Sequence, residues 1–389
     1  MAKGLTGLWL RGLARAAKAQ QARNKKMLKL VLATPKPKRA RKTAPAKRPA
    51  SAQENTRARS ARNGTVRSAT DGTTTRSRTL AKAPSTTLRG KWLRSYYASA
   101  ESGAAPGRRM SYWLYLPSTP AGEPMPLLVM LHGCQQTATQ FADGTRMNRL
   151  AEEKGFAVLY PQQSVRGHPN RCWHWYERNT QHGGDDVKLI VGVIGKVMES
   201  YSVDRRRVYL AGLSAGAAMA NIIALNHPHL IAAVGLHSGT IFGAGHSRLG
   251  ALSVMQLGSS RSPLPAIDEA ANRSTPFPIM PAILIHGQQD SVVRPINLTQ
   301  LTHQFSHLNG LRPEEQRQPV VKRAKSGSAP EHAYRLRDFY AGKTLVLREC
   351  EVHNLDHAWS GGDCTIKFND CSGPDASRMM WDFFARHRR

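Results

Sequence analysis

The segment 207–226 reads Arg-Val-Tyr-Leu-Ala-Gly-Leu-Ser-Ala-Gly-Ala-Ala-Met-Ala-Asn-Ile-Ile-Ala-Leu-Asn, and it tolerates fewer folds than any other part of the chain. The apolar run 208–211 predicts a buried strand. Gly212-Leu213-Ser214-Ala215-Gly216 follows at once, and an Ala-rich helical pattern begins behind it. In a strand–turn–helix context, G-x-S-x-G makes a turn so sharp that the serine hydroxyl is left exposed at the top of a sheet. Residues two before and two after the serine then crowd neighbouring backbone, which favours glycine at both. Ser214 is the candidate nucleophile, and the Ala215 N–H points to where an oxyanion would form. The pattern alone is short enough to arise by chance, so its weight depends on its partners.

The surrounding pattern suits such a turn. Short apolar runs at 110–116, 126–131, 156–160, 231–236 and 282–286 predict strands, with the fourth of the series at 208–211. Helical patterns at 139–154, 185–201, 215–226 and 375–386 alternate with them, and Pro161 is expected to stop its strand. Alternating strands and helices predict an α/β fold with a mostly parallel central sheet covered by helices on both faces. This domain is expected over 91–389.

The first ninety residues differ in kind. They hold 23 of the 56 Lys and Arg and only two acids, Glu54 and Asp71, a net charge of +21 against +9 for the rest. Trp9 is their one aromatic residue. High charge with little apolar content cannot bury a core. Residues 34–90 read as a disordered Lys/Arg/Pro/Ala-rich tail. Residues 1–33 hold a candidate basic amphipathic helix, with Leu5, Leu8, Trp9, Leu13 and Ala16 on one face. Such a tail is either a solvated extension or a dock for an anionic surface, including non-specific contact with nucleic acid phosphates. Arg11 interrupts the first apolar stretch, so no clear secretory signal is seen. No run approaches the ~20 apolar residues of a membrane span.

Five cysteines are widely scattered: Cys134, Cys172, Cys350, Cys364 and Cys371. They form no C-x-x-C metal pair. Bridges Cys134–Cys172 and Cys364–Cys371 are both conceivable, and both pairs would be thiols in a reducing cytoplasm.

A serine nucleophile needs a base, an acid to orient it and a second oxyanion donor. On this fold the expected order is Ser, then Asp or Glu, then His. Asp290 lies just past the strand 282–286, and His357 lies in a loop before the last helix. Alternatives stand beside both: Asp356 as the acid and His353 as the base, among 15 histidines. The strand 126–131 ends in His132-Gly133-Cys134, and the Cys134 N–H is the expected second donor. His357 would take the Ser214 proton, Asp290 would hold the imidazole, and an acyl-enzyme would form and be released by water. The mechanism calls for no metal and no organic cofactor.

Taken together, Leu131-His132-Gly133-Cys134, Ala211–Gly216, Gly235–Gly239 with His237 inside it, His286-Gly287 with Asp290, and His357 with Trp359, Gly361 and Gly362 resemble the polyhydroxybutyrate depolymerase family of esterases. The resemblance covers 105–388. Cys172-Trp173-His174-Trp175-Tyr176 is similar to that family's Cys-Trp segment. The resemblance implies an α/β-hydrolase fold and a Ser214–His357–Asp290 triad. It implies as substrate poly(3-hydroxybutyrate), its oligomers, or feruloyl and acetyl esters. It also makes Trp173, Trp175, His237 and Trp359 candidate substrate-binding residues, with core packing as the alternative reading of the tryptophans. Secreted members carry a signal peptide and a polymer-binding domain. The basic extension here looks more like the granule-associated branch, so a cytoplasmic, granule-bound esterase is expected, with secreted relatives keeping an extracellular site open. From another class, a granule- or nucleic-acid-binding protein with a non-catalytic hydrolase scaffold is the competing reading.

Overall fold

The structure is a computed structural model, and it describes residues 88–99, 107–118, 123–311, 320–322 and 332–389. The candidate helix in 1–33 and nearly all of the basic stretch 34–90 lie outside the described residues.

Ten strands form one sheet. In chain order they are β1 (Lys91–Ala98), β2 (Arg109–Leu116), β3 (Met125–Leu131), β4 (Ala157–Gln162), β5 (Val203–Leu213), β6 (Ala233–His237), β7 (Ala282–Gly287), β8 (Val320–Lys322), β9 (Tyr334–Ala341) and β10 (Thr344–Val352). Across the sheet they lie in the order β1-β2-β4-β3-β5-β6-β7-β10-β9-β8. The six central strands, β4 to β10 in that order, are parallel, and antiparallel strands flank them at both edges. The short pair β11 (Trp359–Ser360) and β12 (Asn369–Asp370) stands apart.

The continuous apolar runs have a simple cause. Side chains alternate between the two faces of a strand, and here both faces are buried. Leu127, Val129 and Leu131 of β3 enter one core, and Leu128 and Met130 enter the other. The second core is closed by α1 (Ala138–Thr145), α2 (Met147–Lys154) and α9 (Ala376–Phe384). The first is closed by α4 (Asp186–Ser200), α5 (Ala215–Asn226), α6 (Arg248–Leu257), α7 (Leu264–Asn272) and α8 (Ile296–Leu308), and the single turn α3 (Arg178–Gln181) precedes α4.

Three local expectations change. The helix expected over 139–154 is two helices, broken at Arg146, whose φ is 55°. The carbonyls that would continue the first helix are taken by tertiary partners: Asp363 N–H donates to Gly144 O (2.8 Å) and Ser377 Oγ to Thr145 O (2.7 Å). Pro161 does not stop β4. It lies opposite Tyr112 of β2, inside the ladder. Third, the antiparallel strands β9 and β10 are too charged to read as strands by hydrophobic pattern. Their charges pair across the strands, Arg335–Glu351 (2.6 Å), Arg337–Glu349 (2.5 Å) and Arg348–Asp338 (2.6 Å), beside the buried Phe339, Leu345, Leu347 and Val352.

Candidate active site

β5 delivers Ser214 to the end of the sheet in a backbone conformation few residues adopt, φ 59° and ψ −121°. Such strain persists only where the surroundings over-determine it. Ser214 N–H donates to His237 O (2.9 Å), tying the turn to β6, and Ala218 N–H donates to Ser214 O (3.0 Å), starting α5. The flanking glycines are sterically required. A Cβ on Gly216 would lie 2.0 Å from Leu131 O, and one on Gly212 would lie 2.4 Å from the Gly216 carbonyl carbon. Gly216→Ala should therefore cost about 3 kcal/mol of stability. Urea unfolding checks this, and an unshifted midpoint would mean that β3 and α5 can separate at no cost.

β7 and β10 are neighbours, with Val352 paired to Gly287. The loops leaving them therefore meet. Gln289 N–H donates to Leu355 O (3.0 Å), and His357 Nδ1 lies 2.8 Å from Asp290 Oδ2. Asp290 is buried, and its other oxygen accepts from Val292 N–H (2.9 Å) and Val293 N–H (2.8 Å). Burial works against its charge, but the His357 charge and hydrogen bond, His286 and the Val293 N–H together hold its pKa at about 2. At His357 burial also disfavours the charged form. The Asp290 charge, its hydrogen bond and the Asp356 charge outweigh it, so the pKa rises above the ordinary imidazole value. Asp356 itself faces Ser291, accepting from its N–H and hydroxyl (both 3.2 Å). Asp290, rather than Asp356, is the carboxylate hydrogen-bonded to His357. His286 Nε2 donates to Val293 O (2.7 Å) behind Asp290, and burial lowers its pKa.

Ser214 and His357 line one cavity of about 280 Å³, together with Cys134, Ala215, Trp175 and Met255. The Cys134 and Ala215 N–H groups donate to no described residue. The loop carrying Cys134 is anchored from below: buried His132 donates from Nδ1 to Gly133 O (2.8 Å) and accepts at Nε2 from Gln163 N–H (3.2 Å). Burial, with the charge of Arg171 adding to it, lowers the His132 pKa to about 4, so this ring is neutral near pH 7.

The profile of the family described as esterase PHB depolymerase matches residues 110–318. The chain belongs to that family. Its match includes Ser214 and Asp290 and stops before His357. The chain is 30% identical over 197 residues to poly(3-hydroxyalkanoate) depolymerase C of Paucimonas lemoignei, covering 49% of this chain and 47% of that protein. It is 33% identical over 147 residues to a probable acetylxylan esterase A of Neosartorya fischeri, covering 37% and 39%. Thus the chain spans about half, or less, of the length of these relatives. With feruloyl esterase B of Thermothelomyces thermophilus it shares 28% identity over 51% of this chain and 70% of that one. The solved acetyl xylan esterase from Aspergillus awamori superposes with a TM-score of 0.55 at 20% identity, covering 68% of this chain and 94% of that one. The fold is that of the α/β-hydrolases.

Within this PHB-depolymerase-family chain the four expected binding residues part company. Trp175 lines the cavity. Trp173, His237 and Trp359 do not. Trp173 is fully buried and donates from Nε1 to His132 O (2.9 Å). Trp359 is fully buried, stacks on His237 and donates to Ser377 Oγ (3.2 Å). His237 accepts from Ser360 N–H (3.2 Å), and burial, with His286 and His357 nearby, lowers its pKa to about 3. These three hold the loops that carry the reactive groups, which their sequence positions alone did not separate from binding.

Two cavity-lining groups were not anticipated. Gln136 Oε1 accepts from Gly133 N–H (2.8 Å), which leaves its buried Nε2 without a described partner. Thr240 Oγ1 is likewise buried with no partner among the described residues. Unpaired buried polar atoms are costly unless a ligand satisfies them. Gln136 follows the Cys134 loop directly in sequence, which is the signal that would have found it.

Both conceivable disulfides are formed, with Cα–Cα distances of 4.4 Å for Cys134–Cys172 and 5.1 Å for Cys364–Cys371, and Cys350 is a buried thiol. The first joins the Cys134 loop to the aromatic segment across 38 residues. Replacing Cys134 and Cys172 together by Ala should lower stability by about 3–4 kcal/mol through the loop it closes. Chemical denaturation tests it. Parent-like stability would show that the Gln135–Asn170 and Trp173–His132 hydrogen bonds suffice.

Among the described residues, no group of three or more His, Cys, Asp or Glu is arranged to hold a metal, and no helix is long and apolar enough to cross a membrane.

Proposed function

We propose that the chain is a serine carboxylic ester hydrolase that cleaves 3-hydroxybutyrate oligomers or the polyester itself. The observation that carries this reading is the 2.8 Å bond between His357 and Asp290, with His357 and the strained Ser214 lining one cavity. In this mechanism neutral His357 removes the Ser214 proton as the oxygen attacks the ester carbonyl. The Cys134 and Ala215 N–H groups hold the oxyanion, and their lack of partners among the described residues supports that role. Asp290 keeps the proton on Nδ1 and stabilises the imidazolium. The imidazolium then protonates the leaving alkoxide, and water repeats the sequence to release the acid. Gln136 and Thr240 offer polar partners to the substrate's remaining oxygens.

The depolymerase relative supports the polyester substrate, and the acetylxylan and feruloyl esterase relatives support a second reading with the same chemistry on acetyl or aryl esters. Turnover of hydroxybutyrate oligomers, amorphous polyester granules, acetylated xylan and methyl ferulate, compared at equal enzyme, distinguishes them. Oligomer cleavage no faster than ferulate cleavage would overturn the first. The two disulfides suit an oxidising compartment better than the cytoplasm, so an extracytoplasmic ester is favoured over an intracellular granule.

A further inference from the structure

A second recess, of about 690 Å³, is lined by chain segments continuous with those lining the Ser214 cavity. Two segments line both. Residues 133–136 face the cavity, while Thr137 and Thr139 face the groove. His168 and Cys172 face the cavity, while Gln163 to Gly167 and Arg171 face the groove. The Cys134–Cys172 disulfide therefore joins the two strips of chain that bound both spaces.

The groove has an unusual charge balance. Arg94, Arg108, Arg109, Arg166 and Arg171 line it, against a single acid, Asp186. That acid is already committed. It is buried, and it accepts from Arg108 Nη2 (3.0 Å), from Gln163 Nε2 (2.7 Å) and from His174 Nδ1 (3.2 Å). Arg108 is further satisfied by Asp185 (3.2 Å). The other four arginines make no ion pair with any described residue. Two of them are held in place by rings rather than by acids. Arg94 sits 5.2 Å over Trp113, its partner across β1 and β2, and Arg109 sits 4.0 Å over Tyr96. Four guanidinium groups with no described acid partner around one concavity repel each other and focus a positive field into it. Their fork geometry matches carboxylate or phosphate oxygens.

The basic residues 1–90 of this chain, at a net +21, have the wrong sign to fill the groove. An ester chain lying at Ser214 has the right one wherever it ends in an acid. Each hydrolysis of a hydroxyacid oligoester also leaves such an end on one product. We propose that the arginine groove binds the free carboxylate end of an oligoester whose scissile bond lies at Ser214. This rests on reading Ser214 as an ester-cleaving serine. The groove makes the enzyme select short acid-terminated chains over neutral esters of equal length, and it draws them in faster at low salt.

The test compares the linear 3-hydroxybutyrate trimer with its methyl ester, which differ only in the terminal charge. In the Ser214→Ala protein, calorimetry should show the acid binding about tenfold more tightly than the methyl ester, with the gap closing at high salt. In Ser214→Ala/Arg109→Gln/Arg171→Gln the gap should vanish, and a thermal melt confirms that this protein folds. In the active enzyme the ratio of KM values for methyl ester and acid should fall from about ten to about one when Arg109 and Arg171 are changed. Equal binding of acid and methyl ester overturns the proposal. So does an acid preference that survives the two substitutions. Tighter binding of inorganic phosphate or of an oligonucleotide than of the trimer overturns it in favour of a phosphate site. Carboxylate binding that persists in a parent protein with no turnover of any ester supports the groove and overturns the esterase reading.

Discussion

Replacing Ser214 by Ala is expected to lower kcat on a soluble ester by roughly 10⁴–10⁶-fold and to abolish covalent labelling by a fluorophosphonate. The expectation follows from the position of the hydroxyl. It stands on the one strained residue between β5 and α5, in the same cavity as His357 and two N–H groups with no described partner. Removing the oxygen removes the acyl-enzyme path, while the elbow persists because Gly212, Gly216 and the Ser214 N–H bond to His237 O define it. The variant should melt like the parent, which separates lost chemistry from lost fold. Intact-protein mass spectrometry after labelling is the direct readout. A labelled Ser214→Ala protein would place the nucleophile elsewhere, and an unlabelled but folded parent would favour the non-catalytic scaffold.

The second large effect concerns Asp290. Its carboxylate raises the His357 pKa above the ordinary imidazole value despite burial. The proposed base works only when neutral, so activity should fall as pH drops through that raised pKa. Asp290→Asn removes the charge, leaving burial to dominate, so the acid limb should move to lower pH. At the same time kcat should drop by about 10⁴-fold, because an amide no longer enforces the Nδ1–H tautomer. A pH–rate profile of kcat/KM measures both. An acid limb at the same pH in both proteins would mean that it reports another group. Stability has its own signature. The Asp290 pKa is depressed to about 2, so its contribution is fully present above the ordinary carboxylate value and is lost as pH falls toward 2. His357 runs the opposite way: its raised pKa contributes below the ordinary imidazole value, and that contribution is lost as pH rises through the folded-state pKa.

Much of this arrangement is local, and local order is legible in residues. The run 208–211, the glycines around Ser214 and the Ala-rich continuation describe a strand, a turn and a helix within twenty positions. The buried parallel strands announce themselves because both faces are apolar, so β3, β4, β6 and β7 lie close to their expected places. The antiparallel pair β9 and β10 is different. Their buried apolar residues are interspersed with charges that pair as Arg–Glu and Arg–Asp across the strands, which no single-strand pattern displays. The break at Arg146 is equally invisible locally, since distant Asp363 and Ser377 impose it.

The site divides along the same line. Chain order pointed to Ser214, Asp290 and His357, with Asp356 left as an alternative acid. The observed pairing depends on Val352 lying beside Gly287 in the sheet, two residues 65 apart in the chain. The same holds for the tryptophans. Trp173, Trp175 and Trp359 share one chemistry and are all buried in the cores, and only packing brings Trp175 to the cavity wall as well. By itself the sequence determined the elbow, the alternation of strands and helices and the family, because these depend on neighbours along the chain. The tertiary structure decided between Asp290 and Asp356 at His357, which cysteines pair, and that arginines with no described acid partner gather in one groove. Those facts depend on strand order across a sheet, and residues adjacent in space there are far apart in sequence.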